Sequence, residues 1–440
     1  MSVESHAAEP SPRADMEGGN EDHQQTVEER MQAEIAEHKE MIGAIPDVTY
    51  SDKLSMSPHK KKLAQLEFKY QIFAEKKRLA RALSKFEEIH GDVHSEPCLI
   101  CLEDIYIHAS ISVTKSFVCC GGFVCMSCAG DLRELEKCPL CRRSLLENDK
   151  VAEQASQLMA LAKRGVSWAQ REVGRSLVHG RHGFKKQVQT GLEWLNKAAA
   201  QNYPSAMFDL SVFHRNGVES ELETSQEKAN RLLLKSANLG YALANSDLAS
   251  YYIRGADGFE RNPDESYFRA SVAFALDGTN EQAALMLGAL YSDDKEAVPE
   301  SSLYLECYYM NIAANGDGEG LACRLYSKAL NNLSIHLHGD QWQIPGSNAV
   351  PTVFFWLRKS RELGHNDTRE LLKEWESFWQ SRCANCARKA QSDEKFKQCS
   401  KCNAQWYCSK ECQVGSWRAG HRKDCKRAGI LDFEDYLNAD

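Results

Sequence analysis

Sixteen residues of this 440-residue chain have the types and spacings that hold metal ions. One set is Cys98-x2-Cys101, Cys119-Cys120, Cys125-x2-Cys128 and Cys138-Pro139-Leu140-Cys141; the other is Cys383-x2-Cys386, Cys399-x2-Cys402, Cys408-x3-Cys412 and His421-x3-Cys425. Two residues between thiols let one turn of backbone bend around an ion with both sulfurs facing it, and three residues place ligands one helical turn apart. Zinc suits this chemistry: it is borderline-soft, d10, and accepts four sulfurs at no redox cost. Two tetrahedral sites per set, four zinc ions in all, are expected. Of the 17 cysteines, Cys307 and Cys323 remain, and both read as small buried residues of helices. Neither has an activating base signalled nearby, so a nucleophilic role is not expected.

The elements that must position these ligands follow from composition and period. A formal charge of −8, with 42% hydrophobic and 26% charged residues, describes several folded units and gives no general reason to expect nucleic acid as the main partner. The opening residues Met1, Ser2, Val3 and Glu4 form no apolar leader, and no run approaches the roughly 20 apolar residues that span a bilayer. An intracellular, non-membrane protein is expected, whose reducing surroundings favour metal sites over disulfides. Residues 1–58 hold 13 acidic and 4 basic side chains among few large apolar ones and read as a disordered tail. Residues 59–92 read as a basic amphipathic helix on Leu63, Leu66, Tyr70, Phe73, Leu79, Leu83 and Phe86. Its Lys60, Lys61 and Lys62 run is a solvated face or a contact for nucleic acid or membrane.

Between the cysteine sets, segments of the form Ala-x3-Leu-Gly-x2-Tyr start at Ala169, Ala206, Ala244, Ala283 and Leu321, spaced by 37, 38, 39 and 38 residues. Such a period marks a solenoid of stacked helical pairs. A second helix precedes each start, with small residues at Ala199, Ala237 and Ala314 for close helix approach. Gly217 and Gly255 to Gly258 suit the turns. The glycine of the Leu-Gly step stands at Gly174 and Gly288 and is replaced by Ser211, Ala249 and Tyr326. The pattern resembles the Sel-1-like repeat family, related to tetratricopeptide repeats, over residues 152–375. The resemblance implies an α-α hairpin array that binds other proteins. His336 to Pro351 breaks the period as a long loop, and Phe354, Trp356, Leu357 and Leu363 suggest a last hairpin.

The first cysteine set, within residues 95–146, resembles a RING finger. That resemblance implies one zinc on Cys98, Cys101, Cys125 and Cys128 and a second on Cys119, Cys120, Cys138 and Cys141. Gly122 stands where many such fingers carry His, and the adjacent Cys119 and Cys120 leave His108 open as a substitute ligand for Cys119. RING fingers that transfer ubiquitin hold a conjugating enzyme's thioester in its reactive geometry without covalent chemistry of their own. The resemblance assigns contact with that enzyme and ubiquitin to Ile100, Pro139 and Arg142, the last as a donor bridging both. Leu132 stands where many active members place Trp. For Ile100 and Leu132 local packing is the alternative, and for Arg142 a solvated charge.

The second set, residues 383–425, resembles a MYND finger, as do Tyr407, Gln413 and Trp417. The resemblance implies one zinc on Cys383, Cys386, Cys408 and Cys412 and another on Cys399, Cys402, His421 and Cys425. It also implies a peptide-binding groove to which Trp406, Gln413 and Trp417 contribute, unless they pack the small fold instead. No segment reads as the SET catalytic domain that accompanies some MYND fingers. Residues 426–440 read as a C-terminal tail. The expected architecture is mostly α: a hairpin solenoid flanked by two small cross-braced zinc modules. The expected activity is that of a ubiquitin-protein ligase, with a conjugating enzyme on the RING and protein substrates or short peptides on the repeats and MYND finger. A non-enzymatic scaffold is the first alternative. The second is a chromatin regulator reading DNA through Lys410, Arg418, Arg422, Lys423, Lys426 and Arg427.

Overall fold

The computed structural model describes residues 21–131, 137–144, 151–218, 220–293, 300–339 and 348–439. Two long helices come first, α1 (Glu21–Ala44) and α2 (Tyr50–His90). Two antiparallel pairs follow, β1 (Glu96–Pro97) with β2 (Asp104–Ile105) and β3 (Thr114–Ser116) with β4 (Phe123–Cys125), then the short α3 (Met126–Asp131). The repeats comprise α4 (Val151–Lys163), α5 (Ser167–His179), α6 (Val188–Ala200), α7 (Pro204–Asn216), α8 (Gln226–Asn238), α9 (Ala242–Arg254), α10 (Pro263–Leu276), α11 (Glu281–Asp293), α12 (Leu303–Gly316), α13 (Leu321–His338), α14 (Val350–Glu362) and α15 (Asn366–Gln380). The last segment holds β5 (Lys397–Gln398) paired with β6 (Trp406–Tyr407), α16 (Lys410–Ser416), a π-helical turn over Trp417–His421, α17 (Arg422–Arg427) and α18 (Phe433–Asn438). The chain is thus mostly helical, a repeat solenoid with two cysteine-rich modules. It divides into two units, one built on Lys77–Met286 and one on Gly19–Lys76 with Leu287–Asp440, and α2 and α11 supply residues to both.

Close approach of neighbouring helices explains the small residues of the period. A Cβ at Gly174 on α5 would lie 2.7 Å from Leu195 Cγ and 2.8 Å from the Gly191 carbonyl on α6, so only glycine fits without moving the helix. Ala169, Ala206, Ala244 and Ala283 are all fully buried at the repeat starts. The fifth repeat corrects the sequence register. Leu321 is partly exposed whereas Ala322, Tyr326 and Ser327 are buried, so this repeat starts at 322 and its small residue is Ser327, not Tyr326. Helix ends are fixed locally. Ser225, Asn262 and Ser302 accept from the backbone of Lys228, Glu265 and Leu305 to cap α8, α10 and α12, and Gly180 and Gly255 close α5 and α9 with left-handed backbone.

In the first unit the chain from the end of α2 into the first cysteine set is strapped to the ends of the repeat helices. Val93 lies over Gly240, where a Cβ would come within 2.8 Å of it. The Ala242 amide donates to the Ala109 carbonyl at 2.7 Å, and the Ser112 hydroxyl donates to Asp277 Oδ2 at 2.6 Å. Trp168 Nε1 donates to the Gly121 carbonyl at 3.2 Å, which fixes the module against the start of α5. The second half of α2 lies along α10, with Arg78 donating to Ser271 and stacked over Tyr267, and Lys85 over Phe268.

In the second unit the first half of α2 is a core element. Met56, Ala64, Leu66 and Phe68 are buried, and Phe68 meets Phe433 edge to face at 5.2 Å. Buried Glu75 accepts from two phenols, Tyr291 at 2.7 Å and Tyr309 at 2.5 Å, while Glu67 accepts from Tyr304 at 3.0 Å. Lys61 donates to the Ala439 carbonyl, so the lysine run is not wholly solvated.

Two expectations change here. Of the tail expected over 1–58, residues 1–20 lie outside the described residues, but α1 and the first turns of α2 are helical. Pairing supplies the order that composition alone does not: Gln32 donates to the Tyr70 hydroxyl at 2.8 Å, and Lys39 sits 2.9 Å from Glu67. Residues 426–439 are no loose tail either, because Phe433, Tyr436 and Leu437 are buried and Asn311 bonds both the Leu431 carbonyl and the Phe433 amide. Of the expected 336–351 loop, residues 340–347 lie outside the described residues, and α13 and α14 take up both ends.

Candidate metal centres

Four of the thiol pairs sit on one recurring piece of backbone. The Cys98 amide donates to the Glu103 carbonyl at 2.8 Å, and the Leu102 amide donates back to the Cys98 carbonyl at 3.0 Å. The same loop closes from Cys138 to Arg142 and Arg143, from Cys383 to Ala387 and Arg388, and, one residue longer, from Cys399 to Asn403 and Gln405. In each, the residue four after the first thiol is left-handed: Leu102, Arg142, Ala387 and Asn403 have φ of 64°, 64°, 57° and 50°. That conformation costs about 1–2 kcal/mol per non-glycine residue and persists where the surroundings over-determine it.

The consequence is electrostatic. Burial pushes the Cys98 thiol up, but the amides of Cys125, Cys101 and Ile100 outweigh it and bring the group down to about 6. The same contest, won by the amides of Cys408, Cys386 and Asn385, brings Cys383 down to about 7. The Arg143 amide draws Cys141 down to about 7. A hydrogen bond from Cys402, opposed by burial and helped by His421, draws Cys399 to about 3. Each of the four donor sets thus holds one thiol poised as thiolate. Burial and neighbouring sulfurs push Cys119 and Cys128 up in turn, and Cys408 up to about 12. A divalent cation relieves that repulsion and displaces the protons.

The donors converge in four groups: Cys98, Cys101, Cys125 and Cys128; Cys119, Cys120, Cys138 and Cys141; Cys383, Cys386, Cys408 and Cys412; and Cys399, Cys402, His421 and Cys425. Within each, the ligand atoms all lie within 4.8 Å of one another. Zinc–sulfur bonds of about 2.3 Å in a tetrahedron put sulfurs about 3.8 Å apart. The sulfurs of Cys101 and Cys125 are 3.8 Å apart, those of Cys120 and Cys138 3.9 Å, and those of Cys386 and Cys408 3.6 Å. His421 Nε2 lies 3.4 Å from Cys399 Sγ and 3.7 Å from Cys402 Sγ. All of the described cysteines are free thiols. Donor type, number and spacing fit zinc in all four.

Adjacent Cys119 and Cys120 both reach the second cluster, with Cys119 Sγ 3.5 Å from Cys141 Sγ. The turn that permits this is drawn tight at the Phe117 carbonyl, which accepts from Gly121 at 2.8 Å. His108 takes no part: its ring lies tilted against His94 at 4.7 Å and meets Tyr203 edge to face at 5.3 Å. A Cβ at Gly122 would lie 2.5 Å from Leu140 Cδ1, so any side chain there has to displace that leucine methyl.

The contact positions differ between the modules. Ile100 is 42% exposed beside Leu99 and Leu102, the last at 74%; Arg142 is exposed, Pro139 is half-buried, and Leu132 lies outside the described residues. In the second module Trp406 is only 7% exposed, packed edge to face on Phe354 of α14, and Arg358 donates to the Cys402 carbonyl at 2.9 Å. Ser409 caps α16 by accepting from the Cys412 amide at 3.2 Å, which sets Cys412 one turn beyond Cys408. Gln413 is half-buried; Trp417 packs by the His421 ring at 5.8 Å with Lys401 over its face at 5.3 Å. Lys410, Arg418, Arg422, Lys423 and Lys426 are exposed, and Arg427 stacks on Tyr436. Sequence reasoning missed the left-handed residue of each loop, which a fixed Cys-x2-Cys spacing carries implicitly.

Comparison with known proteins adds the following. The MYND finger family model matches residues 383–425, and the Sel1 repeat model matches residues 169–203 and 204–241. Both matches leave the first cysteine module outside them. Over 43 residues the chain is 46% identical to ubiquitin carboxyl-terminal hydrolase 16 of Arabidopsis thaliana, a stretch that is 10% of this chain and spans only 4% of that protein. A Sel1 repeat protein from Oxalobacter formigenes is similar over 48% of this chain and 80% of its own, at 18% identity and a TM-score of 0.39. A protective antigen of uropathogenic Escherichia coli strains, displaying an SLR fold, is similar over 66% of this chain and 59% of its own, at 14% identity and a TM-score of 0.39. Residues 383–425 are a MYND finger, and residues 169–241 are two Sel1 repeats.

Proposed function

We propose that the protein binds four zinc ions and acts as a RING-type ubiquitin-protein ligase. In this reading the first module receives a ubiquitin-charged conjugating enzyme, and the repeats and MYND finger hold the protein substrate. The observation that carries it is the exposed apolar edge of Leu99, Ile100 and Leu102 on a module whose two four-sulfur clusters interleave along the chain. Ile100 and Pro139 dock the conjugating enzyme, and the exposed Arg142 donates to enzyme and ubiquitin together. No covalent intermediate forms on this chain. Catalysis is positioning of the thioester and stabilisation of developing charge. On the MYND finger, Gln413 and Trp417 with the exposed Val414 make the peptide-binding face, while Trp406 packs inward.

Autoubiquitination with a panel of conjugating enzymes tests this. The Ile100→Ala, Arg142→Ala double variant is expected to lose at least about tenfold of the rate at unchanged zinc content. An unchanged rate, or no transfer with any enzyme of the panel, counts against the ligase. The second reading, a scaffold without transfer, is favoured by the adjacent Cys119 and Cys120 and by Gly122, which depart from the RING pattern. It predicts partner binding with no ubiquitin chains formed.

A further inference from the structure

The basic residues at the end of the second cysteine module are not used by the peptide-binding face, and the structure sorts them into two groups. Arg427 lies over the Tyr436 ring at 4.2 Å, Lys401 lies over Trp417, and Lys410 has the Glu411 carboxylate in its field. Arg418, Arg422, Lys423 and Lys426 are exposed, and none of them has a hydrogen bond or an ion pair with any described residue. Helical geometry explains the division. His421, Asp424 and Ala428 are buried, and at 3.6 residues per turn that leaves Arg422, Lys423 and Lys426 together on the opposite face of α17. Arg418 and Ala419, just before the kink at Gly420, are exposed as well.

This face therefore carries four cations, one alanine and no acid. With zinc bound, the Cys399, Cys402, His421 and Cys425 cluster beneath it keeps a net charge of −1, which leaves the face positive. The same sign prevails toward α13 in the same unit, where His338 is held down to about 4 by burial first, then by Lys60 and Arg427, with no carboxylate opposing them. A polyanion is the complement. Arginine, lysine and alanine give no apolar floor for a peptide side chain, and Leu431 is the only exposed large apolar residue of 418–439, less than the apolar face with which an amphipathic segment enters a membrane. Single strands bind on open aromatic platforms, but Trp417 has Lys401 over its ring and His421 beside it. A duplex, with one charge per about 1.7 Å of its axis, asks only for cations that face one way.

We propose that Arg418, Arg422, Lys423 and Lys426 bind the phosphate backbone of double-stranded DNA without reading its sequence. The proposal is independent of ubiquitin transfer, and the two are scored separately. The full-length, zinc-loaded protein is titrated by fluorescence anisotropy against two labelled DNA duplexes of unrelated sequence, with a single-stranded RNA, an acidic peptide and phosphatidylserine vesicles as comparisons. Both duplexes are expected to bind alike at low salt, with log K falling against log salt at about −0.9 per contact, hence about −3 to −4 in all. The Arg422→Ala, Lys423→Ala, Lys426→Ala triple variant is expected to lose at least about tenfold in affinity at unchanged zinc content, with a slope shallower by about 3. The charge-conserving Arg422→Lys, Lys423→Arg, Lys426→Arg variant is expected to keep the parent's affinity. No duplex binding at low salt, a salt slope near zero, or a preference for the RNA, the peptide or the vesicles overturns the proposal. So does an affinity that is unchanged in the alanine variant, is lost in the charge-conserving one, or differs about tenfold between the two duplexes. Where the triple variant loses zinc, Lys423→Ala alone decides, by whether the slope falls by about 1.

Discussion

The two cysteine modules use the same backbone loops and nearly the same donors but spend their apolar residues in opposite ways. The first leaves Leu99, Ile100, Leu102 and Met126 in solvent; the second buries Trp406 against Phe354 of α14 and Tyr407 against Gln405 and Ser416 of the module itself. A module of some 43 residues has little core of its own, so metal holds the chain and side chains are free to serve elsewhere. In the first module they are free to face a partner. In the second, Trp406 has been taken by the helix beside it.

The largest effect that can break this comparison comes from the metal. A structural zinc site is worth roughly 10–16 kcal/mol, far more than any packing difference between the modules. Zinc per chain, measured by mass spectrometry, is expected to be four, to fall in Cys119→Ser and in Cys120→Ser alike, and to stay at four in His108→Ala. A lower value in the histidine variant would reinstate His108 as a ligand. Next in size is the packing itself. Trp406→Ala should cost about 3–5 kcal/mol in denaturant unfolding, as large buried aromatic residues do. Leu102→Ala should stay within about 0.5 kcal/mol of the parent, as surface changes do. Equal costs would mean that the two modules are not organised differently at all.

The smallest is a pH effect confined to the strap of the first module. Burial, with repulsion from His94, lowers His108 from 6.5 to about 4. Folding therefore favours the neutral ring. Above pH 6.5 folded and unfolded chains agree and its contribution is whole; as pH falls from 6.5 through 4 the unfolded chain takes the proton first, and up to about 3 kcal/mol is lost. The drop in urea midpoint between pH 7 and pH 5 should be smaller in His108→Phe than in the parent. Protonation of the zinc thiolates affects both proteins alike, and an identical drop in the two would remove His108 from the account.

How much of this was legible beforehand depended on whether the signal was local. Cysteine spacing is local, and so is the alanine period, which is why the ligand pairs and the hairpins could be read from the sequence, whereas the grouping of pairs into sites came from the RING and MYND resemblances. The fifth repeat misled because Leu321 and Ala322 both suit a helix start, and only burial separates them. The order of α1 was invisible because the residues that hold it, Tyr70 and Glu67, lie in another helix, and its own composition is that of a solvated segment.

Glu75 carries a last consequence, for how the polypeptide reaches this state. Its two phenol partners are 216 and 234 residues further along, and Gln65 waits for a carbonyl 372 residues away. Loop closure across such separations is slow, so Phe68 leaves the ribosome long before Tyr308 and Phe433 exist to cover it. During synthesis the face of α2 that carries Phe68 therefore stays open to solvent or to a chaperone until α12 and α18 have been made.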